Sequence, residues 1–193
     1  MSKPIRLLIA LMALALPLAM MQLVAAPAAT AAVSTHAAPT VLYYDASGAG
    51  EFQQVVNDAA DIWNQSVHNV QLKPGTGSIT VLADDGWPRT YPNGLGAGTV
   101  YMGREAVNEG YDPTRIAAHE LGHILGLPDN RTGLCSDLMS GHSAPVSCTN
   151  AHPSQAEAAQ VDANFANGAV GYSRTVTVYD GCFQPMRQPV HAV

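Results

Sequence analysis

The sequence predicts an α/β (α+β) domain: a mixed sheet of about five strands carrying an N-terminal helix, a central helix and a C-terminal helix. Three observations carry that prediction. Short β-branched and aromatic runs alternate with stretches of helical period. Residues 51–65 place Phe52, Val55, Val56, Ala59, Ile62 and Trp63 at helical spacing, an apolar stripe wide enough to cover one face of a sheet. The order strand, helix, several strands, helix is that of a layered domain with helices packed on a sheet.

Residues 40–44 are β-branched and aromatic and open the chain as a strand. In the helix that follows, Trp63 falls on the apolar stripe and is expected in the core. Residues 70–73 and 78–83 are short strands separated by a Pro-Gly-Thr-Gly turn. Residues 87–91 are extended but interrupted by Pro88 and followed by Pro92, so they can form only an edge strand or a loop. After the Gly-rich bend at 93–98, residues 99–102 read as a buried strand. Asp112 can cap the central helix and Pro113 suits its first turn. A last amphipathic helix over 154–166 carries Ala158, Val161 and Phe165 on one side and is expected to end at Gly168.

The central helix runs into His119-Glu-Leu-Gly-His-Ile-Leu-Gly-Leu-Pro-Asp129. His119 and His123 stand one helical turn apart, so both imidazoles leave the same face, with Cβ atoms about 6 Å apart. That spacing suits two ligands on one metal ion. Glu120 can then reach a water on the same ion without being a ligand, the division of labour in HExxH zinc hydrolases. Gly126 can take the left-handed conformation that ends the helix and returns Asp129 toward the metal as a third ligand, leaving a fourth position for water or a substrate carbonyl. His142 or His152 could replace Asp129 as third ligand. In the bland alternative, the two histidines merely cap or cross-link a polar helix face. Leu121, Ile124 and Leu125 point away from the ligands and give the helix an apolar side to bury. His36, His68, His142, His152 and His191 otherwise read as surface residues.

The N-terminus has the organisation of a secretory signal peptide: Lys3 and Arg6, an apolar run over 7–24, then Ala-rich cleavage sites over 25–32. The competing reading is an uncleaved anchor. No twin Arg is present, which favours ordinary secretion. Division of the chain follows: 1–29 signal peptide, 30–39 short pro-segment, 40–168 folded domain, 169–193 extension with one strand-like run at 175–179. From Ala37 onward there are seven Lys and Arg against fifteen Asp and Glu, 7 − 15 = −8 with His neutral. This balance argues against nucleic acid or an anionic membrane as partner and supplies carboxylates for calcium. Of three cysteines, Cys135 and Cys148 are the natural pair in an oxidising compartment, closing a short loop that stabilises by about 3 kcal/mol. Cys182 is left over.

HExxHxxGxxD, the Met139-containing turn after it, a Cys on either side of that turn, Asp-Ile-Trp-Asn at 61–64 and Leu-Met-Ser-Gly at 138–141 together resemble the snapalysin family. These are small secreted bacterial neutral metalloproteases of the metzincin group, and the likeness covers about 40–168. The resemblance implies a twisted sheet with an active-site helix behind it and an edge strand along which extended substrate lies. It implies zinc on His119, His123 and Asp129, Glu120 as general base, Met139 in the Met turn, the Cys135–Cys148 disulfide, and calcium on Asp112 and Thr114. The implied activity is hydrolysis of internal bonds in extended polypeptides outside the cell, by a monomer, with an aromatic residue on the carboxyl side of the cut and its pocket at about 138–146. Two features depart from the family: Arg131 stands where members have Tyr shortly after the third ligand, and the 169–193 extension is extra. A noncatalytic secreted binding domain with structural or vestigial zinc is the main rival, and a surface-anchored structural protein is another.

Overall fold

The computed structural model describes residues 38–166. The signal segment, all but the last two residues of the 30–39 segment, the end expected at Gly168, the strand-like run at 175–179, Cys182, His36 and His191 lie outside the described residues.

Five strands form one mixed sheet: β1 (Thr40–Gly48), β2 (Val70–Pro74), β3 (Ile79–Asp84), β4 (Arg89–Pro92) and β5 (Gly98–Gly103), in the order β2-β1-β3-β5-β4. All neighbours run parallel except β4, which pairs antiparallel to β5 in the register Thr90 to Val100. The strand interrupted by prolines thus lies at an edge, where a missing N–H costs no ladder bond. Among the described residues, one face of the sheet is covered and the other is open. Leu42, Tyr44, Ile79, Val81, Val100 and Met102 are buried, while Val41 and Tyr43 on the alternate face are exposed. That one-sided cover is why burial alternates along β1.

Helices α1 (Gln53–Ser66), α2 (Arg104–Asn108), α3 (Pro113–Ile124) and α4 (Gln155–Phe165) complete the domain, with short 3-10 turns at Gly50–Phe52 and Leu138–Ser143. Helix α1 buries Val56, Ala59, Ala60 and Trp63 as its stripe requires. It packs beside α3, with α1 against β1 and β2 and α3 against β4 and β5. The Trp63 indole N–H donates to Ala118 O at 2.8 Å, tying α1 to the middle of α3. Helix α2 is absent from the sequence reading. It has five residues with only Ala106 buried, too short for an apolar period to register.

Helix α3 departs from expectation in one respect. An apolar side and a polar ligand side were expected, yet every residue from Arg115 to Ile124 is buried. The 3-10 turn carrying Met139 packs against α3 and the 126–130 loop turns back alongside it, so the ligand side is roofed by distant chain.

Candidate metal centre

Helix α3 starts and stops by recognisable local chemistry. Asp112 Oδ1 accepts the Arg115 N–H at 2.8 Å as N-cap, and Pro113 occupies the first turn. At the other end Gly126 adopts φ +89°, the Gly126 N–H donates to His123 O and the Leu127 N–H to Gly122 O, each at 3.0 Å. These two bonds are a Schellman closure. The chain reverses there and Asp129 comes back over the helix.

The structure brings His119, His123 and Asp129 together. The two Nε2 atoms are 3.1 Å apart, and Asp129 Oδ1 lies 3.3 Å from His119 Nε2 and 3.6 Å from His123 Nε2. A tetrahedral zinc ion with bonds of about 2.0–2.1 Å holds neighbouring ligand atoms about 3.3 Å apart. The three separations bracket that value, and Asp129 Oδ1 is buried with no hydrogen-bond partner of acceptable geometry, so the residues fit such an ion. Among the described residues this is the one group of three His, Cys, Asp or Glu donors within reach of a single ion. His142 meets the Arg131 guanidinium and His152 is exposed, so neither joins the group.

Backbone carbonyls orient both rings. His119 Nδ1 bonds Leu138 O at 2.9 Å and His123 Nδ1 bonds Leu127 O at 2.8 Å. A carbonyl accepts only, so each Nδ1 carries a proton and each Nε2 is turned to the cluster. Burial, then the neighbouring His119, pushes His123 down to about 3, which keeps its ring neutral. Burial would also depress His119, but Asp129 and the Glu120 charge outweigh it and raise that ring above its ordinary value. Burial would raise Asp129, yet the hydrogen bond and charge of the His119 ring, with the Arg131 charge, hold it down at about 2. Its outer oxygen Oδ2 takes a bond from Arg131 at 3.1 Å.

Glu120 is fully buried, and burial pushes its carboxyl up to about 7 against the pull of His119 and of a hydrogen bond from Thr90. The Thr90 hydroxyl donates to Glu120 Oε2 at 2.6 Å.

The turn bearing Met139 is held from three sides. Glu157 accepts the N–H groups of Leu138 at 3.1 Å and Met139 at 2.7 Å while closing a reciprocal cap with Ser154 at the start of α4. The Arg115 guanidinium donates to the carbonyls of Cys135, Asp137 and Asn150. The Cys135–Cys148 disulfide, with Cα atoms 5.6 Å apart, closes the same loop. Gly122 makes room beneath it, since a Cβ there would stand 2.7 Å from Met139 Sδ.

Sequence reasoning did not single out Thr90, Arg115, Gly122 or Glu157 for the site. Two of them had a signal: Ser-x-x-Glu at 154–157 marks a capping box, and Arg115 stands alone as a charged residue between the Asp112 cap and His119. Thr90 and Gly122 had none. A cavity of about 590 Å³ is lined by Met139, by residues of the 126–130 loop and by residues of α4.

Fold and site together define a small α/β domain built around a two-histidine, one-carboxylate cluster that could hold a metal ion, with a buried glutamate beside it. Over residues 38–168 the chain matches the Streptomyces extracellular neutral proteinase (M7) family, to which it belongs. The extracellular small neutral protease of Streptomyces caespitosus is 44% identical over 128 residues, covering 65% of this chain and 96% of that one. Those of Streptomyces sp. strain C5 and Streptomyces coelicolor are 42% and 41% identical, covering 74% and 65% of this chain and 60% and 59% of their own length. Among solved structures, the medaka (Oryzias latipes) hatching-enzyme zinc-protease high choriolytic enzyme 1 overlaps 48% of this chain and 46% of its own at 22% identity and a TM-score of 0.34, too loose to bear on the reading.

Proposed function

We propose that this chain is an extracellular zinc metalloendopeptidase in which His119, His123 and Asp129 hold the ion and Glu120 is the general base. The observation that carries the reading is the convergence of two Nε2 atoms and one carboxylate oxygen at separations of 3.1, 3.3 and 3.6 Å. Family membership supports the reaction class. When bound, zinc would supply the Lewis acidity that polarises a scissile carbonyl and acidifies water.

The chain's own groups do the rest. Extended substrate adds to the free side of β4, the sheet edge nearest α3, through main-chain hydrogen bonds. Glu120 takes a proton from the attacking water as its oxygen bonds the carbonyl carbon, then delivers that proton to the departing amine as the C–N bond breaks.

Finer features belong to the same proposal. An aromatic side chain on the carboxyl side of the cut is taken up beside Met139. Residues 1–29 and 30–39 are removed on export, 40–168 is the protease domain and 169–193 an extension, and the active form is a monomer. Calcium at Asp112 and Thr114 rests on resemblance alone, since the observed role of Asp112 Oδ1 is the helix cap.

The decisive experiment measures zinc content and casein cleavage of the secreted protein beside E120Q and D129N. The proposal expects E120Q to keep one zinc and the fold but lose cleavage, and D129N to lose zinc. Full cleavage by E120Q, or by chelated wild type, overturns it. Sequencing the new N-termini tests the aromatic preference, intact mass tests processing, and calcium titration of D112A tests that site.

A further inference from the structure

Strand β4 has four residues, and their side chains divide between its two faces. Arg89 pairs with Asp84 and lies 4.2 Å from the Tyr101 ring centroid, and Tyr91 meets Tyr101 edge-on, all on the open face. Thr90 faces the other way and is fully buried against α3. Its hydroxyl has a single proton and two acceptors in range, Glu120 Oε2 at 2.6 Å and the Glu120 main-chain oxygen at 3.2 Å. The shorter, charge-assisted contact takes most of that proton. Meanwhile Glu120 Oε1 is buried and has no hydrogen-bond partner among the described residues. One carboxylate oxygen is therefore tied to the sheet while its twin is left to accept.

We infer that Thr90 is a positioning residue for Glu120: by holding Oε2 from the edge strand it assigns Oε1 as the atom that receives the proton of the attacking water. This rests on the protease reading and deepens it. A glutamate on a helix can rotate its carboxylate about its last torsion, which exchanges the two oxygens. A buried donor on one of them removes that freedom before substrate arrives, the preorganisation that proton transfer needs. Valine has nearly the shape of threonine and lacks the proton, so the loss of the hydroxyl can be isolated.

The experiment compares wild type with T90V, T90S and T90A, each with its zinc content measured. T90V is expected to lower kcat about 10- to 100-fold, the loss usual for an outer partner of a reacting group, with KM and zinc content unchanged. T90S, which keeps the hydroxyl, restores most of that loss. Should T90V fail to fold, T90S against T90A carries the comparison, because both lack the methyl and only one keeps the hydroxyl. A second readout needs no activity: in chelated protein, T90V lowers the Tm clearly when Glu120 is present and little when it is already E120A.

Equal kcat in T90V and wild type, while E120Q is inactive, overturns the positioning role and leaves the protease reading standing. So does additive Tm loss in the T90V/E120A pair. Cleavage surviving in E120Q overturns both.

Discussion

Removing Glu157 should unfasten the metal centre, because its carboxylate holds the backbone that holds His119. The carboxylate accepts three main-chain N–H groups, from Leu138 at 3.1 Å, Met139 at 2.7 Å and Ser154 at 2.6 Å. In E157A the first two donors stay buried beneath the turn without an acceptor. Each such unmade bond costs about 1–3 kcal/mol, and the lost α4 cap about 1 kcal/mol more. These terms share one group and do not add fully, which leaves about 3–5 kcal/mol. For a domain of this size, roughly 4 °C per kcal/mol translates that into a Tm lower by about 12–20 °C.

The assay is thermal unfolding with a chelator present, so that metal binding does not contribute. E157Q keeps one accepting oxygen and should fall about halfway. A consequence follows in the holo protein. Leu138 O is the acceptor for His119 Nδ1, so a displaced turn loosens the ring and zinc affinity should drop about tenfold or more. A chelated E157A protein that unfolds within about 1 kcal/mol of wild type would refute the reasoning, since an alanine there leaves those donors no other buried partner.

Two further perturbations test the geometry at lower cost. G126A should lose about 2–4 kcal/mol and bind zinc more weakly by competition titration, since φ is +89° and a Cβ would sit 2.8 Å from Asn164 Nδ2 and 2.9 Å from Leu95 Cδ1; unchanged zinc affinity would show that Asp129 does not depend on this turn. Arg89 holds the Asp84 carboxyl below its ordinary value through hydrogen bonds of 3.0 and 2.9 Å. A depressed folded value means that the pair stabilises fully above the unfolded value of 3.8 and loses its contribution as pH falls through the lower folded one. Because both side chains keep partial solvent contact, the effect should be only about 0.5–1 kcal/mol, seen as a shallower fall of Tm below pH 4 in D84N.

How far the protein was readable without coordinates depended on the range of the interactions involved. Helix α3, its Asp112 cap, the left-handed Gly126 and the return of Asp129 are consequences of neighbours within a turn or two, and each was foreseen from residue type and spacing. The same holds for β4 at an edge, where two prolines exclude any central position. The five-residue α2 escaped because it is shorter than the period by which helices are recognised.

What coordinates alone decided are contacts between residues far apart in the chain. Thr90 reaches Glu120 across 30 positions, Glu157 reaches Met139 across 18, and Trp63 reaches Ala118 across 55. No local pattern encodes such pairs, because a threonine on a short strand looks the same whether it faces water or a buried carboxylate. The burial of α3 on every side has the same origin. Local sequence determined which atoms could hold a metal ion; the packing of the sheet edge, the Met139 turn and α4 around them decided the protonation, orientation and solvent exclusion of those atoms. These last properties arise from desolvation and from donors brought in by tertiary folding.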